Sequence, residues 1–283
     1  SSLKKIPDEI TGICALLDEL GYQFNIIDED EDFRKYKIVI LPDNILCSDF
    51  LADKIDNYIA DGGRIIASYR SGLNYSETEF AIKRLGISLV GDAPYSPDFL
   101  VPTSEYGKRL FKTEYVMYNQ GKEIKINDAK EVVKAYIPYF NRTWEHFCSH
   151  LHTPSSHKYG YPGITECKGN YYFMHPIFSI YQEKHPKWCK EFLRDVLETL
   201  IPQPLIKHDG PSTMTVTVNE QKEKGRYIIH ILHYIPNKIA DEILTIEDVI
   251  PLYDIKLSVC LPHAVNGVTL VPDKEQLDYE IFQ

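Results

Sequence analysis

The sequence predicts an α/β protein: an open, doubly wound parallel sheet with helices on both faces, followed by a small all-β sandwich. Three observations predict it. Amphipathic helices alternate with short, continuously apolar strands from Asp8 to Ser68, joined by brief connections. A strong helix is then closed by Pro202 and Pro204, which mark a domain boundary. Beyond them the apolar period becomes two, the repeat of strands with one buried face.

Asp8 to Leu20 reads as a helix because Ile10, Ile13, Leu16, Leu17 and Leu20 share one face. Gly21 ends it, as a residue at home in the left-handed conformation. Gln23–Asp28 reads as a strand. Lys37–Pro42 is a continuous apolar run of strand length, the mark of a strand buried on both faces. Ser48 and Asp49 can cap the next helix, on which Leu51, Ile55, Tyr58 and Ile59 form a stripe. Gly62-Gly63 stops it, and Arg64–Ser68 is the following strand. This order implies right-handed crossovers in an open sheet. Such sheets ordinarily begin with a strand, whereas a helix comes first here, which points to a strand lost from the N-terminus with whatever preceded it.

Tyr75–Leu85 is predicted helical and Val90–Phe111 a loop with short strands. Glu131–Tyr136 is predicted as a strand, Asn141–Tyr161 as a long polar connection rich in histidine, and Asn170–Met174 as another strand. Pro186–Leu200 is a helix with Trp188, Phe192, Val196, Leu197 and Leu200 near one face. The division falls between residues 1–203 and 204–283. In the second part Thr213–Asn219 alternates, Gln221–Gly225 turns the chain, and Arg226–Tyr234 answers it. Ile255–Leu261, Val268–Val271 and Leu277–Phe282 are further strands.

Apolar content of 43% and charged content of 25% belong to a soluble globular protein. No apolar run approaches the ~20 residues that cross a bilayer. Ser1–Pro7 lacks the apolar stretch of a signal peptide; cytoplasmic and periplasmic locations both stay open. A net charge of −10 repels phosphate backbones and argues against nucleic acid. Cys14, Cys47, Cys148, Cys167, Cys189 and Cys260 include no CxxC pair, which excludes zinc-ribbon and thioredoxin-like sites. Reduced, mostly buried thiols are expected.

Tyr36–Pro42, the helix end Tyr58–Gly63 and the stretch Arg64–Gly72 succeed one another in an order that resembles the trimerisation domain of family-42 β-galactosidases. Gly169–Phe173, the helix from Pro186 and Pro202–Ile206 agree. His230–Tyr234 resembles the early strand of the β domain that comes next in those enzymes. The resemblance spans most of residues 8 to 235. It implies a flavodoxin-type, class I glutamine-amidotransferase-like fold for residues 1–203, a homo-oligomer with a trimer favoured, and carbohydrate as the substrate of a parent enzyme. In that family the acid and the nucleophile are carboxylates on a preceding (β/α)8 barrel. A barrel needs ~250 residues of repeated strand and helix, and this chain spends its length otherwise. The resemblance therefore implies a non-catalytic oligomerisation region of a glycoside hydrolase, or a stand-alone relative of that region; no catalytic residue, metal or cofactor is expected in this chain.

Amidotransferases hold a Cys nucleophile in a tight strand-to-helix turn. The matching turn is Ser68–Gly72, and Arg70 stands in the nucleophile's place. No Cys is near, and Ser71 lacks an evident His partner. Tyr69, Arg70 and Ser71 are expected to be loop or interface residues, with Arg70 pairing with a carboxylate or reaching across a subunit interface.

Trp144, Glu145, His146, Cys148, His150, His152 and His157 gather in one segment. On a helix, His146 and His150 would lie one turn apart, a spacing that suits a metal. In an extended chain, His150 and His152 would point the same way. The pattern matches no standard zinc spacing. Three readings stand: a metal site, a solvated or interface loop, and a loop that lines a sugar site beside a barrel. In the third, Trp144 stacks on a sugar while Glu145, His146, His150 and His152 bond hydroxyls. A stand-alone metal- or sugar-binding protein, or an enzyme using this loop, is the competing class. Glu29–Asp32 reads as a solvated loop. Tyr69, Tyr75, Tyr95, Tyr106, Tyr115 and Tyr118 suit sugar binding, subunit contacts or the packing of irregular loops equally.

Overall fold

The computed structural model describes residues 6–240 and 243–282. The chain divides into two compact units, Ser1–Leu20 with Phe24–Pro202, and Gly21–Gln23 with Gln203–Gln283.

The first unit contains α1 (Asp8–Glu19), β1 (Ile38–Leu41), α2 (Asp49–Ala60), β2 (Arg64–Ser68), β3 (Ile87–Asp92), β4 (Asp98–Val101), β5 (Tyr115–Met117), β6 (Lys122–Ile126), β7 (Lys130–Pro138), β8 (Ser155–Cys167), β9 (Asn170–Phe173), α3 (Ile177–Lys184) and α4 (Lys187–Leu200). Seven strands form one sheet in the order β1-β2-β9-β8-β7-β4-β5. β1, β2 and β9 run parallel. From β8 outward every pairing is antiparallel. The sheet is mixed, which corrects the expectation of a parallel one. The cause is local: β8 and β9 are joined through Lys168 (φ 50°) and Gly169 (φ 86°), a two-residue turn with both residues left-handed. Parallel neighbours need a crossover of a dozen residues or so, and a tight hairpin makes the pair antiparallel. Asn170 locks the corner, donating to the Cys167 carbonyl at 3.0 Å and accepting from the Ile65 amide at 3.1 Å.

The Ser48 hydroxyl caps α2 by accepting from the Leu51 amide at 3.1 Å, and the stripe Leu51, Ile55, Tyr58 and Ile59 is buried. On α4, Phe192, Leu193, Val196 and Leu197 are buried, each worth about 2 kcal/mol of apolar transfer. Asp195 on the same helix accepts from the Gly107 and Lys108 amides at 2.7 and 3.0 Å and from the Arg109 guanidinium at 2.7 Å. That carboxylate fastens the loop before β5 to the helix.

Two elements expected before residue 203 are absent. Gln23–Asp28 joins no ladder among the described residues. Tyr75–Leu85 forms no α-helix: Glu77 is left-handed (φ 52°), Asn74 Oδ1 accepts from the Thr78 amide at 2.9 Å, and only Lys83–Leu85 turn as a short 3-10 segment. Local side-chain bonding has outcompeted the helix there.

The second unit contains β10 (Ile206–His208), β11 (Met214–Gln221), β12 (Arg226–His233), β13 (Asn237–Ala240), β14 (Ile243–Thr245), β15 (Leu257–Val259), β16 (Thr269–Leu270) and β17 (Glu275–Gln276). They pair as two-stranded antiparallel ladders, β10–β15, β11–β12, β13–β14 and β16–β17. Ile206, Met214 and Val216 form a small core packed by Val218, Ile229, Leu252, Ile255 and Val259. Gln23 belongs to this unit: its side chain accepts from the Val218 amide at 2.9 Å and donates to the Val216 carbonyl at 2.8 Å, bonding β11 as a neighbouring strand would. Leu277–Phe282, expected as a strand, is irregular. Among the described residues no helix is long and apolar enough to cross a membrane.

Candidate functional site

β1, β2 and β9 end together, and in open α/β sheets ligands bind beyond the carboxyl ends of parallel strands. The chain leaves β2 through Tyr69, whose φ of 53° places the left-handed residue one position before Arg70. From Arg70 the chain continues as a loop rather than a helix, so the turn lacks the strand-to-helix form of a nucleophile elbow. Ser71 is buried, and its hydroxyl accepts from the Ile45 amide at 3.0 Å, a structural bond. Arg70 forms a two-point pair with Glu77 (Nε to Oε2 2.7 Å), which lowers the carboxyl pKa of Glu77 by hydrogen bonding and raises that of the guanidinium. Of the two roles expected for Arg70, the structure realises the pairing with a carboxylate. About a third of each side chain is exposed, so the pair is screened and contributes little. Arg70→Ala should change the unfolding free energy by less than ~1 kcal/mol in urea titration; a loss of several kcal/mol would show instead that the pair braces the turn.

Beneath this turn lies a polar network that sequence reasoning missed. Asp43 (φ 41°) is fully buried after β1. Its carboxylate accepts from the Ser68 hydroxyl at 2.8 Å and from the amide and hydroxyl of Ser179 at 2.7 Å each, at the start of α3. Burial pushes its pKa up to about 6, against the opposing pull of these bonds. In a second buried cluster Asp98 Oδ1 lies 2.5 Å from His175 Nε2, and Asp98 Oδ2 accepts from the Tyr161 hydroxyl at 2.7 Å. All three are buried. Burial and the facing carboxylate push the Tyr161 phenol upward. A lone Asp after an apolar strand was the available signal for Asp43; nothing in the linear order links Asp98, Tyr161 and His175.

Residues 144–152 of the histidine-rich segment lie in a loop between β7 and β8 that is neither helical nor extended, which removes both spacings considered for a metal, while His157 lies on β8. Among the described residues no group of three or more His, Cys, Asp or Glu is placed to hold a metal ion. The loop is instead tethered to its own unit. Asn141 accepts from the Ser96 amide at 3.0 Å and donates to the Pro94 carbonyl at 2.6 Å. Arg142 donates to the Leu151 carbonyl at 2.9 Å. The His146 ring stacks on Phe140 with centroids 3.7 Å apart. The His152 ring lies 5.3 Å from Tyr118, and burial together with Arg142 and Lys184 lowers its pKa. His157 bonds Glu114 at 2.7 Å. Glu145 and His150 are exposed, and Trp144 is 86% exposed. Phe147 and Leu151 stand out beside it. Tyr106 (hydroxyl to Tyr171), Tyr115 and Tyr118 (both against Trp188) serve packing, while Tyr75 is exposed.

Residues 8–83 match the family described as the β-galactosidase trimerisation domain. Among solved structures, the α-L-fucosidase isoenzyme 2 from Paenibacillus thiaminolyticus is 32% identical, with a TM-score of 0.94 over 99% of this chain and 42% of that one. A β-galactosidase from Bacillus circulans sp. alkalophilus is 18% identical, with a TM-score of 0.55 over 77% of this chain and 30% of that one. A family-42 β-galactosidase catalytic mutant from G. stearothermophilus is 16% identical, with a TM-score of 0.53 over 77% and 29%. The chain thus spans less than half the length of each. No curated protein matches it in sequence. Residues 8–83 match the β-galactosidase trimerisation domain, and the chain is similar in fold to part of an α-L-fucosidase and of β-galactosidases, one of them of family 42.

Proposed function

We propose that this chain is the non-catalytic oligomerisation and accessory region of a carbohydrate-active glycoside hydrolase, and that its loop between β7 and β8 lends side chains to a sugar site built elsewhere in the protein. The observation that carries the second part is Trp144, 86% exposed on a loop whose root is bonded to the body of its unit. A large aromatic ring costs free energy when left in water, and a ring held there on a tethered loop suits stacking on a sugar face. Glu145, His146, His150 and His152 supply donors and acceptors for hydroxyls. The oligomer proposed is a trimer. The amidotransferase-like character of residues 1–203 and the sandwich of residues 204–283 belong to the same proposal. For the parent enzyme an α-L-fucoside is the favoured substrate, because the fucosidase shares 32% identity over 99% of the chain whereas the β-galactosidase from Bacillus circulans shares 18%.

Trp144→Ala in the full-length protein tests the loop. The KM for an aryl α-L-fucoside should rise about tenfold, the loss of roughly 1.4 kcal/mol of sugar contact, with kcat changed less. Unchanged constants with that substrate and with an aryl β-galactoside would overturn the loop's role.

A further inference from the structure

β10 ends on His208, which lies opposite Leu257 of β15. Both nitrogens of its ring are buried, and among the described residues neither has a hydrogen-bond partner. Nε2 packs against Gly21 of the same unit, so closely that a Cβ on Gly21 would stand 2.9 Å from it. Gly21 is left-handed (φ 75°), so glycine there serves both the backbone turn and the close approach. Nδ1 lies on the side of Gly210, 3.4 Å from where a Cβ would stand, and Met214 lies over that glycine. A neutral imidazole carries one N–H, whereas the cation carries two and a charge. The site therefore suits the neutral ring, since a charge would be desolvated and would find no acceptor at Nε2.

The ionisable groups around the ring are Lys207 on β10, Asp209 after it, Lys256 ahead of β15, Tyr22 beside Gly21, and His233 opposite Met214. His233 shares a hydrogen bond with the Thr213 hydroxyl at 3.2 Å. Asp209 alone among them acts on the charge of the ring, and its carboxylate already accepts from the Lys256 amide at 2.9 Å. Burial outweighs Asp209 and the Gly210 backbone, and holds the His208 pKa below the ordinary histidine value.

We propose that His208 is an acid-sensitive latch in the second unit, holding Gly21–Gln23 against β11 as the neutral ring and releasing them as the cation. Solvating an N–H at Nε2 needs the space that Gly21 fills. Gly21 cannot leave without disturbing Gln23, two residues on, whose side chain bonds the Val216 carbonyl and the Val218 amide. The neutral ring's contribution is fully present above the unfolded histidine value near 6.5, and is lost as pH falls from there through the lower folded value. The inference is independent of the sugar-site reading.

Amide hydrogen exchange at Val218 tests it, because that amide donates to Gln23. Corrected for intrinsic exchange, its protection in this 283-residue chain should fall at least ~10-fold from about pH 7.5 to about pH 5. His208→Phe keeps a ring in the site, gives up no hydrogen bond and should hold that protection constant. Asp43 still titrates in the variant, which separates the two groups. Protection that stays constant with pH in the unaltered chain, or that falls equally in the variant, would overturn the proposal. An NMR titration of the His208 ring needs no variant: its folded pKa is expected below the ordinary ~6.5, and a value at or above that would also overturn the proposal.

Discussion

Asp43→Asn should destabilise the protein more as the pH falls from 7 to 4, the reverse of ordinary acid sensitivity. Asp43 is buried and its pKa is raised to about 6, whereas an unfolded aspartate titrates near 3.9. The folded state therefore takes up a proton that the unfolded chain releases. Its contribution is fully present below the unfolded pKa and is lost as pH rises through the folded one. The window from pH ~4 to ~6 is worth about 3 kcal/mol in all, with about half of it reached by pH 5. Asparagine is neutral at every pH and holds no such term. It also tolerates the left-handed backbone at this position (φ 41°). At pH 7 the substitution still has a cost, since its amide group faces donors from Ser68 or Ser179 where the carboxylate accepted. Denaturant titrations of both proteins from pH 4 to 7 check this: the gap between them should widen by ~2 kcal/mol or more on acidification. A constant gap would show that Asp43 is ionised throughout.

Gly12→Ala should cost about 3 kcal/mol, although alanine is the better helix former by nearly 1 kcal/mol. Gly12 lies inside α1, where α1 crosses α3. A methyl group there would run into the Phe178 carbonyl oxygen, with the carbonyl carbon 2.8 Å away. Those atoms are backbone and cannot swing aside, so the two helices must separate. α3 starts on the Asp43 network, and α1 reaches Asn44 through Glu9. The displacement would therefore reach the ends of β1 and β2. Chemical denaturation at pH 7 reads the sign: a stabilised variant would mean that the helices part freely.

The elements that a linear pattern encodes were legible. α1, α2 and α4 announce themselves by stripes such as Leu51, Ile55, Tyr58 and Ile59, and by punctuation such as Ser48 and Gly21. β1 and β2 stand out as apolar runs of strand length. The mixed direction of the sheet was hidden, because it depends on a two-residue turn at Lys168-Gly169 whose residues carry no strong local demand apart from the glycine. Tyr75–Leu85 resembled a helix in composition, but the Asn74 side chain bonds the Thr78 amide and draws the chain into turns. At the candidate site, a carboxylate partner for Arg70 was legible as a class, though Glu77 is placed by the fold. The histidine-rich loop was legible as a loop with exposed polar and aromatic groups. Its tethers were not, since Asn141 reaches back some 47 residues to Pro94; nor was the buried pair of Asp98 and His175, which meet across 77.

The most direct measurement is the solution mass of the full-length protein by light scattering across a concentration series. The proposed oligomerisation role, supported by the match of residues 8–83 to the β-galactosidase trimerisation domain, predicts three times the mass of one polypeptide, held on dilution. The mass of a single polypeptide at every concentration would contradict it.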